Sequence, residues 1–166
     1  MPQPILPRRL LFVIIGIVLV PFADSAVLAQ TAADSTAILR SLDSWDEGWR
    51  TSNAELAVQS YAADADWTNA FGDRVVGRDS LEATLRFIFG LNFVMAGDSG
   101  ENEFADLTFL TPNIALLRSK LVRVGQQMQS GATMPDRHVH HLRVFERRGG
   151  EWQIVSHLIS QAHEKR

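Results

Sequence analysis

The sequence predicts an α+β fold in which helices pack on one face of a strongly bent antiparallel or mixed sheet. Three observations lead there. Apolar residues at helical spacing are confined to the first part of the chain, strand-like segments fill the rest, and no internal repeat or regular strand–helix alternation is present.

The first 29 residues read as a signal peptide rather than as part of the fold. Arg8 and Arg9 form a basic start, Leu10 to Val20 is an unbroken apolar run, and Pro21 ends it. Val27-Leu28-Ala29 then supplies tolerated residues for signal peptidase, so the mature chain is expected to begin at Gln30. The apolar run is shorter than the ~20 residues a spanning helix needs, so no stable membrane anchor is expected once the signal is cleaved. Residues 30–166 are the length of one domain with one core. A periplasmic or secreted location follows.

Thr31 to Asp34 reads as a short loose leader. Ile38, Leu42, Trp45 and Trp49 then fall on one helical face, with Asp34 or Ser35 able to cap its start. Ser52-Asn53-Ala54-Glu55 has capping-box spacing for a second helix, expected to end at Tyr61. Asp66 to Phe71 alternates large and polar residues, Gly72-Asp73 turns, and Arg74-Val75-Val76 runs back as a hairpin. Asp79-Ser80-Leu81-Glu82 opens a third helix with Leu81, Leu85, Ile88 and Phe89 as its buried stripe. Ala96 to Glu101 is expected to be a loop. Strands are expected over Glu103–Leu110, Ile114–Val124, Arg137–Arg147 and Glu151–Gln161, with turns at Thr111-Pro112-Asn113 and Arg148-Gly149-Gly150. Trp45, Trp49, Leu81, Leu85, Phe89 and Trp152 are expected in the core.

Composition excludes several functions. Without Arg8, Arg9 and Asp24, the chain's 16 basic and 19 acidic residues become 14 and 18, with no basic stripe, so no nucleic-acid partner is expected. There is no cysteine, hence no disulfide and no lipid-modified cysteine after the signal. No G-x-G-x-x-G motif follows a strand, so no nicotinamide or flavin cofactor is expected.

Four stretches together resemble one protein group. They are the helix ending in Trp45 and Gly48-Trp49, the run Tyr61-Ala62-Ala63-Asp64-Ala65-Asp66-Trp67-Thr68-Asn69, and Phe71-Gly72 followed by Gly77-Arg78. The last is Pro112-Asn113-Ile114-Ala115-Leu116 with Gly149-Gly150-Glu151-Trp152-Gln153-Ile154. The pattern resembles the SgcJ/EcaC group of the SnoaL-like, nuclear transport factor 2-like superfamily. The resemblance implies a cone-shaped roll: three N-terminal helices over a curved sheet, with a pocket at the wide end and pairing of two subunits through the sheet. Relatives include isomerases, dehydratases, cyclases and non-catalytic domains, and so broad a use of one fold does not fix an activity. Two departures matter. Leu158-Ile159-Ser160 stands where the group has a polar run, which implies a greasier pocket. Thr108 stands where an arginine is frequent, which removes a possible anchor for an acidic ligand.

The residues that can carry chemistry follow. Trp67 and Asn69 lie two apart on a strand and share a face, as an aromatic platform and an amide or as a core tryptophan beside a turn. Asp64 and Asp66 pair carboxylates near the expected pocket, although Asp64 also suits a cap. Asp106 is an acid in an apolar strand, placed either on the open face or in the pocket. His138 and His140 share one face of a strand and His141 takes the other. With His157 two of them could approach a metal, but the spacing matches no zinc motif and none is expected. A histidine as general base is the alternative to a solvated strand. The expected wall therefore comprises Trp49, Tyr61, Trp67 and Asn69 for binding and Asp106, His140 and His157 for catalysis. The expected function is binding of a small hydrophobic molecule, with cofactor-independent isomerisation, dehydration or cyclisation if the domain is an enzyme. The alternative is a non-catalytic binding or dimerisation module with a filled pocket.

Overall fold

The computed structural model describes residues 23–162, with side chains from residue 32 onward. The basic start and apolar run of the expected signal lie outside the described residues. Helix α1 spans Ala23–Arg50. It therefore runs through Thr31–Asp34, which are helical rather than a loose leader, and the expected cleavage point after Ala29 falls within it. Asp34 caps nothing; its carboxylate pairs with Arg147.

The apolar spacing of α1 does what it predicts. Ile38, Leu42 and Trp45 are buried, whereas Trp49 is half-buried. The chain leaves α1 through Ser52 at φ 55. Asn53, not Ser52, caps α2 (Ala54–Val58), its side chain accepting from Leu56 N at 3.0 Å. Gly48 lets the two helices touch, because a Cβ there would stand 2.6 Å from the Ala57 backbone. Tyr61 does not end α2. It opens strand β1 (Tyr61–Thr68), and Ile154 N donates to Ser60 O just ahead of it. An aromatic residue that finds a strand partner favours the sheet over one more helical turn.

Strand β2 (Arg74–Val76) completes the hairpin, with Gly72 in the turn at φ 94. Helix α3 (Arg78–Phe89) buries Leu81 and Leu85, while Ile88 and Phe89 are only partly covered. A short fourth helix, α4 (Asn92–Met95), stands where none was expected. Strand β3 (Asp98–Thr111) begins inside the expected loop, followed by β4 (Ile114–Val124), β5 (Arg137–Arg148) and β6 (Glu151–Ala162). Gly97, at φ +81, makes the early start of β3 possible: a Cβ there would lie 2.1 Å from Val124 O.

The sheet order is β2-β1-β6-β5-β4-β3. β1 runs parallel to β6 and every other pair is antiparallel, so the sheet is mixed, curved and open. The helices cover its concave face, where Leu117, Phe145 and Ile154 are buried. Burial alternates strictly along β5 from Arg137 to Phe145, and this alternation decides which side chains reach the interior.

Candidate functional site

Between α1, α3, α4 and the concave sheet lies a cavity of about 1080 Å³. Its apolar wall includes Trp49, Trp67, Ile88, Val94, Val139 and Ile159. Of the greasier Leu158-Ile159-Ser160 stretch, only Ile159 lines it; Leu158 is exposed. The size and mostly apolar lining suit a small molecule.

Three of the expected wall residues are there. Trp49 and Trp67 line the cavity, and each has an indole Nε1 that is buried without a partner. Asn69 also lines it, but its amide serves the hairpin: Oδ1 accepts from Phe71 N and Asp73 N, and Nδ2 donates to Asp73 Oδ2 at 2.9 Å.

The other four lie elsewhere. Asp106 is exposed on β3, opposite Arg118, in a surface groove separate from the cavity. His140 is half-buried on the convex face, its ring 6.5 Å from that of Phe104. Neither lines the cavity, because a period of two leaves the choice of strand face open. Asp64 and Asp66 are surface ion pairs with Arg148 and Arg74 at 2.5 and 2.6 Å, and those partners hold both carboxyls below their ordinary range.

Tyr61 and His157 do not line the cavity but come together behind its wall. The Tyr61 hydroxyl lies 2.5 Å from His157 Nδ1, and His157 Nε2 lies 2.9 Å from His141 Nδ1. Arg143 reaches the same His141 Nδ1 at 3.4 Å and donates to Ser119 Oγ at 3.0 Å. Trp45 covers the group, its ring centroid 5.0 Å from that of His157 and 5.7 Å from the Arg143 guanidinium carbon.

The polarity of this chain follows from its donors. A guanidinium can only donate, so His141 Nδ1 accepts. His157 Nε2 must then carry the proton that it gives to His141, which leaves His157 Nδ1 bare to accept the Tyr61 hydroxyl. Burial pushes the tyrosine well above its ordinary range, keeping that hydroxyl protonated. Both imidazoles are held well below the ordinary histidine range, first by burial and then by the Arg143 cation. They are neutral, and the remaining proton of His141 sits on Nε2. That nitrogen is buried and without a partner, on a ring that lines the cavity.

A carboxylate lines the same cavity. Asp46, on the apolar stripe of α1, is half-buried, and Asn102 Nδ2 donates to its Oδ2 at 2.5 Å. Burial raises its carboxyl above the ordinary range against the pull of Arg143. A carboxylate with one amide partner, raised by desolvation, is a proton acceptor, and a neutral imidazole N–H is a hydrogen-bond donor to oxygen.

Sequence reasoning missed Asp46 as a site residue and gave His141 only as the histidine facing away from its neighbours. Asp46 falls four residues after Leu42 on the helix stripe. Arg137, His141 and Arg143 share the parity of Val139 and Phe145 on β5. Among the described residues, no cluster of three or more His, Cys, Asp or Glu side chains is placed to hold a metal ion.

No protein-family model and no curated protein matches the chain. Solved structures do. A nuclear transport factor 2-like protein with a cystatin-like fold from Novosphingobium aromaticivorans is 16% identical, with a TM-score of 0.66 over 89% of this chain and 94% of that one. An uncharacterised protein with a cystatin-like fold from Caulobacter vibrioides is 20% identical, with a TM-score of 0.67 over 79% and 91%. A type 3 hexachlorocyclohexane dehydrochlorinase from Novosphingobium barchaimii is 13% identical, with a TM-score of 0.70 over 81% and 90%. The helices packed on an open curved sheet are thus the nuclear transport factor 2-like, or cystatin-like, fold.

Proposed function

We propose that this domain binds a small, largely hydrophobic molecule in the cone and moves a proton on it without a cofactor. Asp46 takes a proton from a carbon beside a carbonyl or a leaving group, and the His141 Nε2–H stabilises the negative charge that develops on the oxygen or leaving atom. The observation that carries this reading is the pairing of functions in one cavity: a desolvated carboxylate, and an imidazole whose proton is fixed on an unpartnered nitrogen. A dehydrochlorinase with this fold removes a proton as it eliminates chloride, which supports the same reaction class. SgcJ/EcaC membership is part of this proposal and rests on the motifs alone.

Solvent deuterium exchange on trans-2-decalone, followed by NMR, tests the reading. The protein should accelerate exchange at the carbons beside the carbonyl. Asp46→Asn should lower that rate by ~10²–10⁴-fold and His141→Gln by ~10²–10³-fold. Binding of the ketone, seen by quenching of Trp49 and Trp67 fluorescence, with no exchange above background, would leave the non-catalytic module as the reading.

We further propose that the chain is exported and that two copies pair through the sheet. Intact-mass analysis of secreted protein should give a chain starting at Gln30, and retention of Leu10 to Val20 would mean an anchor. Exposed Phe104 and Leu158 support a two-fold dimer through the sheet. A monomer in sedimentation at micromolar concentration would contradict it.

A further inference from the structure

One corner of the cavity carries charge that the proton-transfer chemistry does not use. Arg123 ends the inward row of β4, and Arg137 begins that of β5. The two are direct partners across the strands, and both line the cavity. Like charges directly opposite each other destabilise a sheet, and these two are also partly removed from water. Arg137 is buried and Arg123 half-buried. Burial, and then the neighbouring Arg137, push Arg123 down to about 10.

Neither cation is offset by a carboxylate among the described ion pairs. Their partners are neutral. Arg123 donates to Val94 O at 2.9 Å, and Arg137 donates to Gln126 Oε1 at 2.6 Å and to Gln161 Oε1 at 2.8 Å. Gln126 in turn donates to Val94 O, tying the two cations into one frame. Arg123 Nε is buried with no partner, and its guanidinium carbon lies 5.4 Å from the Trp49 ring centroid. Two positioned guanidiniums without a carboxylate partner, at the end of an apolar cavity, have the geometry of an anion receptor.

We propose that the ligand of this cavity is an amphipathic acid whose carboxylate sits between Arg123 and Arg137 while its apolar body lies against Trp49 and Trp67. The inference rests on the reading of the cavity as a ligand site and names the chemical class of that ligand. Exposed Asp98 and Glu101 on the same wall favour a single negative charge over a phosphate dianion. The anchor expected to be lost with Thr108 is supplied instead by β4 and β5.

Calorimetric titration with 2-naphthoate, its neutral analogue 2-naphthamide and 2-naphthyl phosphate tests this. The naphthoate should bind at least about tenfold tighter than the amide, as one charge-assisted arginine contact warrants, and tighter than the phosphate. Arg123→Gln and Arg137→Gln should each abolish the preference for acid over amide while leaving amide affinity within about threefold. Arg123→Lys, which keeps the charge, should retain part of it, and thermal melts of all three variants verify that they fold. Equal binding of acid and amide to the parent protein, a preference that survives both glutamine variants, or tighter binding of the phosphate would overturn the carboxylate assignment while the cavity reading stands. Binding of none of the three probes would overturn the cavity reading and this inference with it.

Discussion

The two faces of β5 carry neighbouring histidines with opposite fates. On the concave face His141 is buried, held by His157 and Arg143, and its ring lines the cavity. One residue earlier, His140 lies half-buried on the convex face beside Phe104. Residue type is the same and sequence distance is minimal, so the difference comes from surroundings: Trp45, Tyr61 and Arg143 on one side, the open sheet on the other. Chemistry on this scaffold is decided by which way a strand residue faces.

The largest test removes what makes the concave face an interior. Trp45 is 3% exposed and packs on His157 and Tyr61, so Trp45→Ala should cost ~3–5 kcal/mol in denaturant unfolding. Half-buried Trp49 should cost less when truncated. A loss under about 1 kcal/mol for Trp45→Ala would mean the aromatic lid is not packed.

The histidines themselves come next. His141→Ala leaves the Arg143 guanidinium and the His157 N–H without their acceptor and should cost ~1–3 kcal/mol. His140→Ala should change stability by no more than about 0.5 kcal/mol. Equal effects in the same denaturant series would erase the contrast between the faces.

Smaller effects come from titration. His141 and His157 have folded values depressed below the unfolded one, so the unfolded chain binds more protons as pH falls through the ordinary histidine range near ~6.5. Their contribution to stability is present above that range and is lost as pH drops through it; melts between pH 7.5 and 5 should show the loss, and it should shrink in His141→Gln. Asp46 has the opposite sign. Its folded value is raised, so its ionised form is destabilising at neutral pH. Asp46→Asn should therefore be more stable at pH 7 by ~0.5–2 kcal/mol while losing proton transfer. Lower stability of Asp46→Asn at pH 7 would contradict the desolvation argument.

Much of the fold was legible. Ile114 to Val124 formed a strand with the bounds its composition suggested, and the Ile38-Leu42-Trp45 spacing put one face of α1 in the core. The site was legible only in part, for reasons visible in single residues. Along β5 polar and apolar side chains occur on both faces, so alternation gives the period but not the inward parity, and the choice between His140 and His141 stays open. In β1 the register to β6 shifts between Tyr61 and Asp66, which breaks any parity count along that strand. Arg123 and Arg137 stand fourteen positions apart in sequence. Only the β4–β5 register brings them opposite one another.

His141 is assigned as a neutral imidazole with its proton on Nε2, in a ring that lines the cavity. Two-bond ¹H–¹⁵N correlation spectra of histidine-labelled protein read this directly. From pH 5.5 to 8 the His141 Nδ1 should resonate as an unprotonated acceptor and Nε2 as a protonated nitrogen, with no titration across that range. A proton on Nδ1, or a midpoint near the ordinary histidine value, would contradict it.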